Sequence, residues 1–176
     1  MNAAPALAGR WRSVTTTRGG IGAVYDFRAT GVAAYSSAAI VDMDYQASPG
    51  QISMGGQAVG MGWHPDGRLQ FNYGGNNVED YTRQGKVVDP ATPLLGEWKG
   101  TRLMAGRPVP VLLQFHPANR ALLVMYLKTQ TGRYQSSGDA WVITLPSLPA
   151  RSVTPAAEGQ ITITANGGDP HQFARF

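Results

Sequence analysis

Few residues in this chain have the type and spacing that chemistry needs. Asp42 and Asp44 stand two apart, so in a strand both side chains point to one face. Paired carboxylates of this kind can share acid–base work or hold a hard cation. They also mark the solvated face of an edge strand, where charge guards against aggregation, and that is the reading favoured here. The three histidines are His64, His116 and His171, and the first two each precede a proline. A zinc centre needs three or four converging ligands. No spacing supplies them, so the histidines read as turn residues and no metal site is expected. The chain has no cysteine, which removes thiol nucleophiles, thiolate ligands and disulfides together. No serine lies in a nucleophile elbow. The runs Gly19-Gly20-Ile21-Gly22 and Gly55-Gly56 lack the following basic residue and helix start of a phosphate cradle. Glu79 and Asp80, close to Arg83, read as local salt pairing of small energetic value. No catalytic residue and no cofactor is therefore assigned.

Aromatic side chains offer more. Of four tryptophans and seven tyrosines, Trp63, Tyr73, Tyr126, Tyr134 and Trp141 fall in segments with strand character. Most such rings build core. The others can line a pocket or present a flat surface to sugar, lipid or protein. Together with Asp42, Asp44, His64 and His116 they form the candidate ligand-contacting set.

The elements that must position these groups are β-strands. Short alternating runs are separated by turn signals such as Ser48-Pro49-Gly50 and Pro65-Asp66-Gly67-Arg68, the latter the best hairpin signal in the chain. Separate strands are expected over 32–35 and 38–45, and again over 120–129 and 134–137. Pro146, Pro149 and Pro155 argue against a central strand over 148–153. About seven short strands per half, in meander order, must close or stack to avoid bare edges. Charged residues make up only 15% of the chain, and the net charge of +4 is spread rather than clustered. This argues against a nucleic-acid partner. No apolar run is long enough to span a membrane. No signal peptide is recognisable, and the compartment stays open between export, with a leader outside this sequence, and the cytoplasm.

The chain also repeats itself. Leu7-Ala8-Gly9-Arg10-Trp11 returns as Leu94-Leu95-Gly96-Glu97-Trp98, Phe27 as Phe115, Tyr45-Gln46-Ala47-Ser48 as Tyr134-Gln135-Ser136-Ser137, and Tyr81-Thr82-Arg83 as Phe173-Ala174-Arg175. The offset drifts from 87 to 92 residues with landmarks in constant order, which reads as duplication with loop insertions. Residues 1–88 and 89–176 are the two copies, with residues 85–93 as the hinge and close packing expected between them.

Leu-x-Gly-x-Trp at the head of each copy, an aromatic run ending in a polar turn, and a terminal aromatic-x-Arg resemble the short bacterial lipocalin-like repeat of the calycin group. The elements are Leu7, Gly9, Trp11, Tyr25, Phe27, Tyr81 and Arg83 in the first copy, and Leu94, Gly96, Trp98, Phe115, Phe173 and Arg175 in the second. The resemblance implies an all-β fold, a duplicated antiparallel meander with pseudo-twofold related halves that form either one merged lipocalin-like barrel or sandwich or two small barrels. It also implies that the tryptophan crosses the closed end with the last-strand arginine over it, so that Trp11 meets Arg83 and Trp98 meets Arg175, as structural rather than catalytic residues. The function it implies is a non-catalytic binding module that holds a small apolar or amphipathic ligand in a barrel or in the seam between the repeats. A structural or interaction protein forming homo-oligomers or binding a protein partner is the alternative. A small hydrolase or isomerase is the third reading.

Overall fold

The computed structural model describes residues 6–176. All regular structure there is strand: β1 (Gly9–Ser13), β2 (Ile21–Phe27), β3 (Val32–Ser48), β4 (Gln51–Met54), β5 (Gln57–Trp63), β6 (Leu69–Asn72) and β7 (Val78–Gln84), followed by β8 (Gly96–Met104), β9 (Arg107–His116), β10 (Arg120–Ser137), β11 (Ala140–Leu145), β12 (Leu148–Pro155), β13 (Gln160–Ala165) and β14 (Pro170–Arg175). Each strand pairs antiparallel with its neighbours in the chain, β1 pairs with β14, and β3 pairs with β10. The expected all-β antiparallel meander, seven strands to each half, is the observed one. Among the described residues no helix is long and apolar enough to cross a membrane.

Two strands are longer than expected. Ser36-Ser37 reads as a break in sequence, yet β3 runs through it. Ser36 is buried, and its hydroxyl lies 2.7 Å from that of Thr129 on β10, so each hydroxyl satisfies the other inside the sheet. In β10 the presumed break holds Gly132. A Cβ at that position would stand 2.0 Å from the Thr144 carbonyl oxygen. The glycine permits close strand approach rather than a turn. The region 148–153 is also a strand, paired on both sides, contrary to the proline argument. Pro149 falls beside the register shift between Ile143 and Leu145, and Pro155 ends the strand. At both places the ladder loses little by lacking an N–H.

The chain forms two compact units, and each draws strands from both sequence halves. The first comprises residues up to Ala39 and Leu127–Phe176; the second comprises Ile40–Tyr126. The spatial division therefore falls within β3 and β10, whereas the sequence division falls near residue 88. In the first unit the pairing circuit runs through residues 32–39 of β3, then β2, β1, β14, β13, β12, β11 and residues 127–137 of β10. The Tyr134 N–H donates to the Gly31 carbonyl where β10 returns to β3. In the second unit the circuit runs through residues 40–48 of β3, β4 to β9 and residues 120–126 of β10. There the Tyr45 N–H donates to the Asn119 carbonyl. Each unit has its own apolar core. Trp11, Tyr25, Phe27, Ile143, Val153, Ile161 and Phe173 fill the first. Tyr45, Ile52, Phe71, Tyr81, Trp98, Leu113 and Phe115 fill the second.

The same construction occurs in both cores. The Trp11 indole N–H donates to the Leu7 carbonyl at 2.9 Å, and that of Trp98 donates to the Leu94 carbonyl at 2.9 Å. The Arg175 guanidinium lies 4.4 Å from the Trp11 ring centre and donates to the Ala8 and Ala6 carbonyls. The Arg83 guanidinium lies 4.2 Å from the Trp98 ring and donates to the Leu95 and Pro93 carbonyls. This corrects the expected partners. Each tryptophan meets the arginine of the other sequence half, because β1 pairs with β14 (Trp11 opposite Arg175) and β7 pairs with β8 (Arg83 opposite Trp98). Gly9 and Gly96 hold φ of 133° and 116°, and a Cβ on either would reach the arginine at 2.4 and 3.0 Å. Only glycine suits both demands. The ring pairs cross over in the same way: Phe27 meets Tyr134 edge-on at 5.1 Å, and Phe115 meets Tyr45 at 4.9 Å.

A double-mutant cycle of Trp11→Leu with Arg175→Met is expected to give a coupling of about 0.5–2 kcal/mol in urea unfolding. The cycle of Trp11→Leu with Arg83→Met should give none. Coupling in the second cycle and its absence in the first would contradict the crossed pairing.

Candidate functional site

In the first unit a cavity of about 550 Å³ opens among β1, β2, β3, β12, β13 and β14. Its floor is aromatic and aliphatic: Tyr25, Tyr35, Ile163 and Phe173. The Tyr25 ring packs against Tyr35 at 5.2 Å and edge-on against Phe173 at 5.2 Å. Its walls are mixed: Thr15, Ser37, His171 and Arg151 bring polar groups, beside Ile21 and Ala165. No Asp or Glu lines it. Ser13 is committed elsewhere: its hydroxyl accepts from the Ala23 N–H at 2.7 Å and donates to the Ala23 carbonyl at 3.1 Å. That leaves it a brace between β1 and β2 rather than a nucleophile. Arg151 donates to the Tyr25 hydroxyl at 2.8 Å and lies over the Tyr35 ring at 5.0 Å. Burial pushes the Tyr25 phenol up to about 12, opposed by the Arg151 charge, so it stays protonated and neutral at physiological pH.

Strand register identifies the matching positions of the second unit. Ile163 lies opposite His171, and Phe71 lies opposite Glu79. Ser13 lies opposite Phe173, and Gly100 opposite Tyr81. Ser37 lies opposite Ala23, and Met125 opposite Val111. Counting along the strands, Thr15, Ser37, Ala165 and His171 of the first unit answer to Arg102, Met125, Tyr73 and Glu79 of the second. These larger residues bond to one another. The Arg102 guanidinium donates from Nε to Glu79 Oε1 at 2.6 Å, and from Nη2 to Glu79 Oε2 at 3.1 Å and the Tyr73 hydroxyl at 2.8 Å. Its Nη1 lies 3.6 Å from the Met125 sulfur. The Tyr81 hydroxyl donates to Glu79 Oε2 at 2.7 Å. Glu79 is 4% exposed. Its hydrogen bonds keep Arg102 protonated well beyond the ordinary range. Burial followed by the Glu79 charge pushes Tyr73 up to about 12 and Tyr81 higher still. A network of this kind fills the space that small side chains leave open in the first unit.

The residues singled out from sequence are not brought together. Trp63, 44% exposed, borders a separate apolar groove of about 840 Å³ in the second unit, beside Met61, Pro49 and Pro93. Tyr73 belongs to the arginine network, and Tyr126 is half-buried on β10. Tyr134 packs on Phe27 and donates to the Arg28 carbonyl at 2.8 Å, while Trp141 packs against the first core. Asp44 makes an exposed ion pair with Arg120 at 2.5 Å, and Asp42 is exposed on the same strand. His64 bonds Asp80 at 2.9 Å, and that bond, with Gln70, holds the Asp80 carboxyl below its usual range. His116 is exposed. Glu79 and Asp80 do not pair with Arg83 as expected: Glu79 turns inward to Arg102, and Asp80 faces His64 and Arg68. No group of three or more His, Asp or Glu among the described residues could hold a metal ion.

Sequence reasoning missed Tyr25, Tyr35, Arg151 and Ser37 as site residues. One available signal was the size mismatch between the sequence halves, with Thr15, just beyond β1, against Arg102 of β8, and Ala165 of β13 against Tyr73, just beyond β6. No family model matches the chain, and comparison with curated proteins and with solved structures finds no match either.

Removing Glu79 by Glu79→Ala leaves the partly exposed Arg102 guanidinium and the buried Tyr81 hydroxyl without their shared acceptor. The expected loss of unfolding free energy is about 1–2 kcal/mol, the range for leaving a polar group unpaired where one partner is still reached by water. Adding Arg102→Met should recover part of it. A Glu79→Ala protein as stable as the parent would contradict the described network.

Proposed function

We propose that the chain is a non-catalytic binding module that takes one small amphipathic molecule in the cavity of its first unit. The observation that carries this reading is the inequality between matched interiors. The Trp, Arg, Gly and aromatic contacts recur in both units, while Thr15, Ser37, Ala165 and His171 leave space where Arg102, Met125, Tyr73 and Glu79 occupy it. A ring of strands filled by its own side chains can be a solid core; one with an aromatic floor and convergent polar groups suits a ligand. A cavity of about 550 Å³ lies within the ordinary range of small-molecule sites.

The same recurrence supports a tandem duplication of a lipocalin-like repeat in which each closed barrel takes the head of one copy and the tail of the other. On this reading one barrel keeps a solvent-accessible calyx. The other carries an internal ion pair that locks it.

Transplanting the plug tests the function. A neutral solvatochromic naphthalene dye is expected to bind the parent protein at one saturable site with blue-shifted emission. Ala165→Tyr with Ser37→Met should abolish that binding while far-ultraviolet circular dichroism and the melting temperature stay near the parent's. Unsaturable dye binding by the parent, or undiminished binding by the filled variant, would reject the cavity as a ligand site.

A further inference from the structure

We infer that the molecule held in the first unit carries a carboxylate and that Arg151, supported by Tyr25, receives it; this rests on the reading of that cavity as a ligand site. Arg151 lines the cavity, yet among the described residues it forms no ion pair. Its partners are a neutral phenol and an aromatic face. A guanidinium has five N–H donors in a planar fork suited to a carboxylate, and Arg151 spends one terminal nitrogen on Tyr25.

The second unit shows what completes such a group. There a single arginine and two tyrosines enclose one carboxylate, that of Glu79, gripped by Nε and Nη2 of Arg102 and by the Tyr81 hydroxyl. The first unit again offers one arginine and two tyrosines, Arg151 with Tyr25 and Tyr35, although its arginine comes from β12 rather than β8. At the position of Glu79 it has His171, so the chain supplies no carboxylate. A bound acid would fill that vacant role. One cationic fork matches one anionic head. The hydroxyls of Thr15 and Ser37 can accept or donate around it, and Ile163 and Phe173 give the remainder of the molecule an apolar seat. The class is therefore a compact aromatic or short aliphatic monocarboxylate.

Matched pairs test this. Benzoate, 2-naphthoate and octanoate are titrated calorimetrically into the full chain beside their primary amides, with the neutral dye as reference. At least one acid is expected to bind tenfold or more tightly than its amide. Arg151→Gln should bring that acid down to the amide's affinity, Arg151→Lys should keep part of the preference, and Tyr25→Phe should weaken the acid severalfold. The comparison of acid with amide needs only the parent protein, so a poorly folding variant does not spare the inference. Equal affinity for acid and amide, or dye binding with no acid binding, overturns the carboxylate while the cavity reading stands. Undiminished acid preference in Arg151→Gln overturns the assignment to Arg151. If dye, acids and amides all fail to bind, the cavity reading itself falls.

Discussion

Strand edges must be closed, and in this chain the pairing of β3 with β10 makes that possible. Among the described residues there is no helix to cover an exposed row of N–H and C=O groups, and such rows invite association. Strands of 17 and 18 residues solve the problem twice. Residues 32–39 of β3 and 127–137 of β10 belong to the first unit, and their remaining residues to the second. Because each long strand belongs to both units, a unit cannot be assembled from one sequence half. The crossed partners follow: Trp11 with Arg175, Trp98 with Arg83, Phe27 with Tyr134, and Phe115 with Tyr45.

Each unit has an interior to fill, and here the units diverge. In the second, Glu79 is buried against a partly exposed Arg102, and the cost of burying its charge is offset by a bidentate contact and two phenols. In the first, the counterpart positions hold a threonine, a serine, an alanine and a histidine. A cationic fork from a different strand lines the resulting space. At these matched positions, similar frames thus hold a self-satisfied network in one case and an open chamber in the other. Residues that match between the sequence halves shape the frame, and residues that differ shape the chamber.

Much of this was legible in the chain. Alternating apolar residues and the turns at Ser48-Pro49-Gly50 and Pro65-Asp66-Gly67 placed the strands, and the recurring Gly-x-Trp gave both heads. Pairing across the copies was not legible, because residue spacing does not say which Arg lies beside which Trp; strand partnership does, and that depends on β3 and β10 running unbroken. The breaks read at Ser36-Ser37 and Gly132 came from local propensity, which a buried hydroxyl pair and a close strand approach overrode. The site was hidden for a related reason. Arg151 stands between two prolines in a segment that reads poorly as strand, and its role becomes visible only when β12 turns it onto Tyr25 and Tyr35. Exposed aromatics such as Trp63 drew attention instead, though the aromatic residues of the cavity are core-facing.

The contrast between the two arginines is the centre of this account, and nitrogen-15 resonance spectroscopy of the arginine side chains reads it directly. The Arg102 Nε–H, bound to Glu79 at 2.6 Å, should give a downfield proton signal that exchanges slowly with water at neutral pH. The Arg151 Nε–H, lining a chamber without a carboxylate, should exchange fast enough to be broadened in the free protein. Equal protection of the two, or rapid exchange at Arg102, would contradict a locked interior in one unit and an open one in the other.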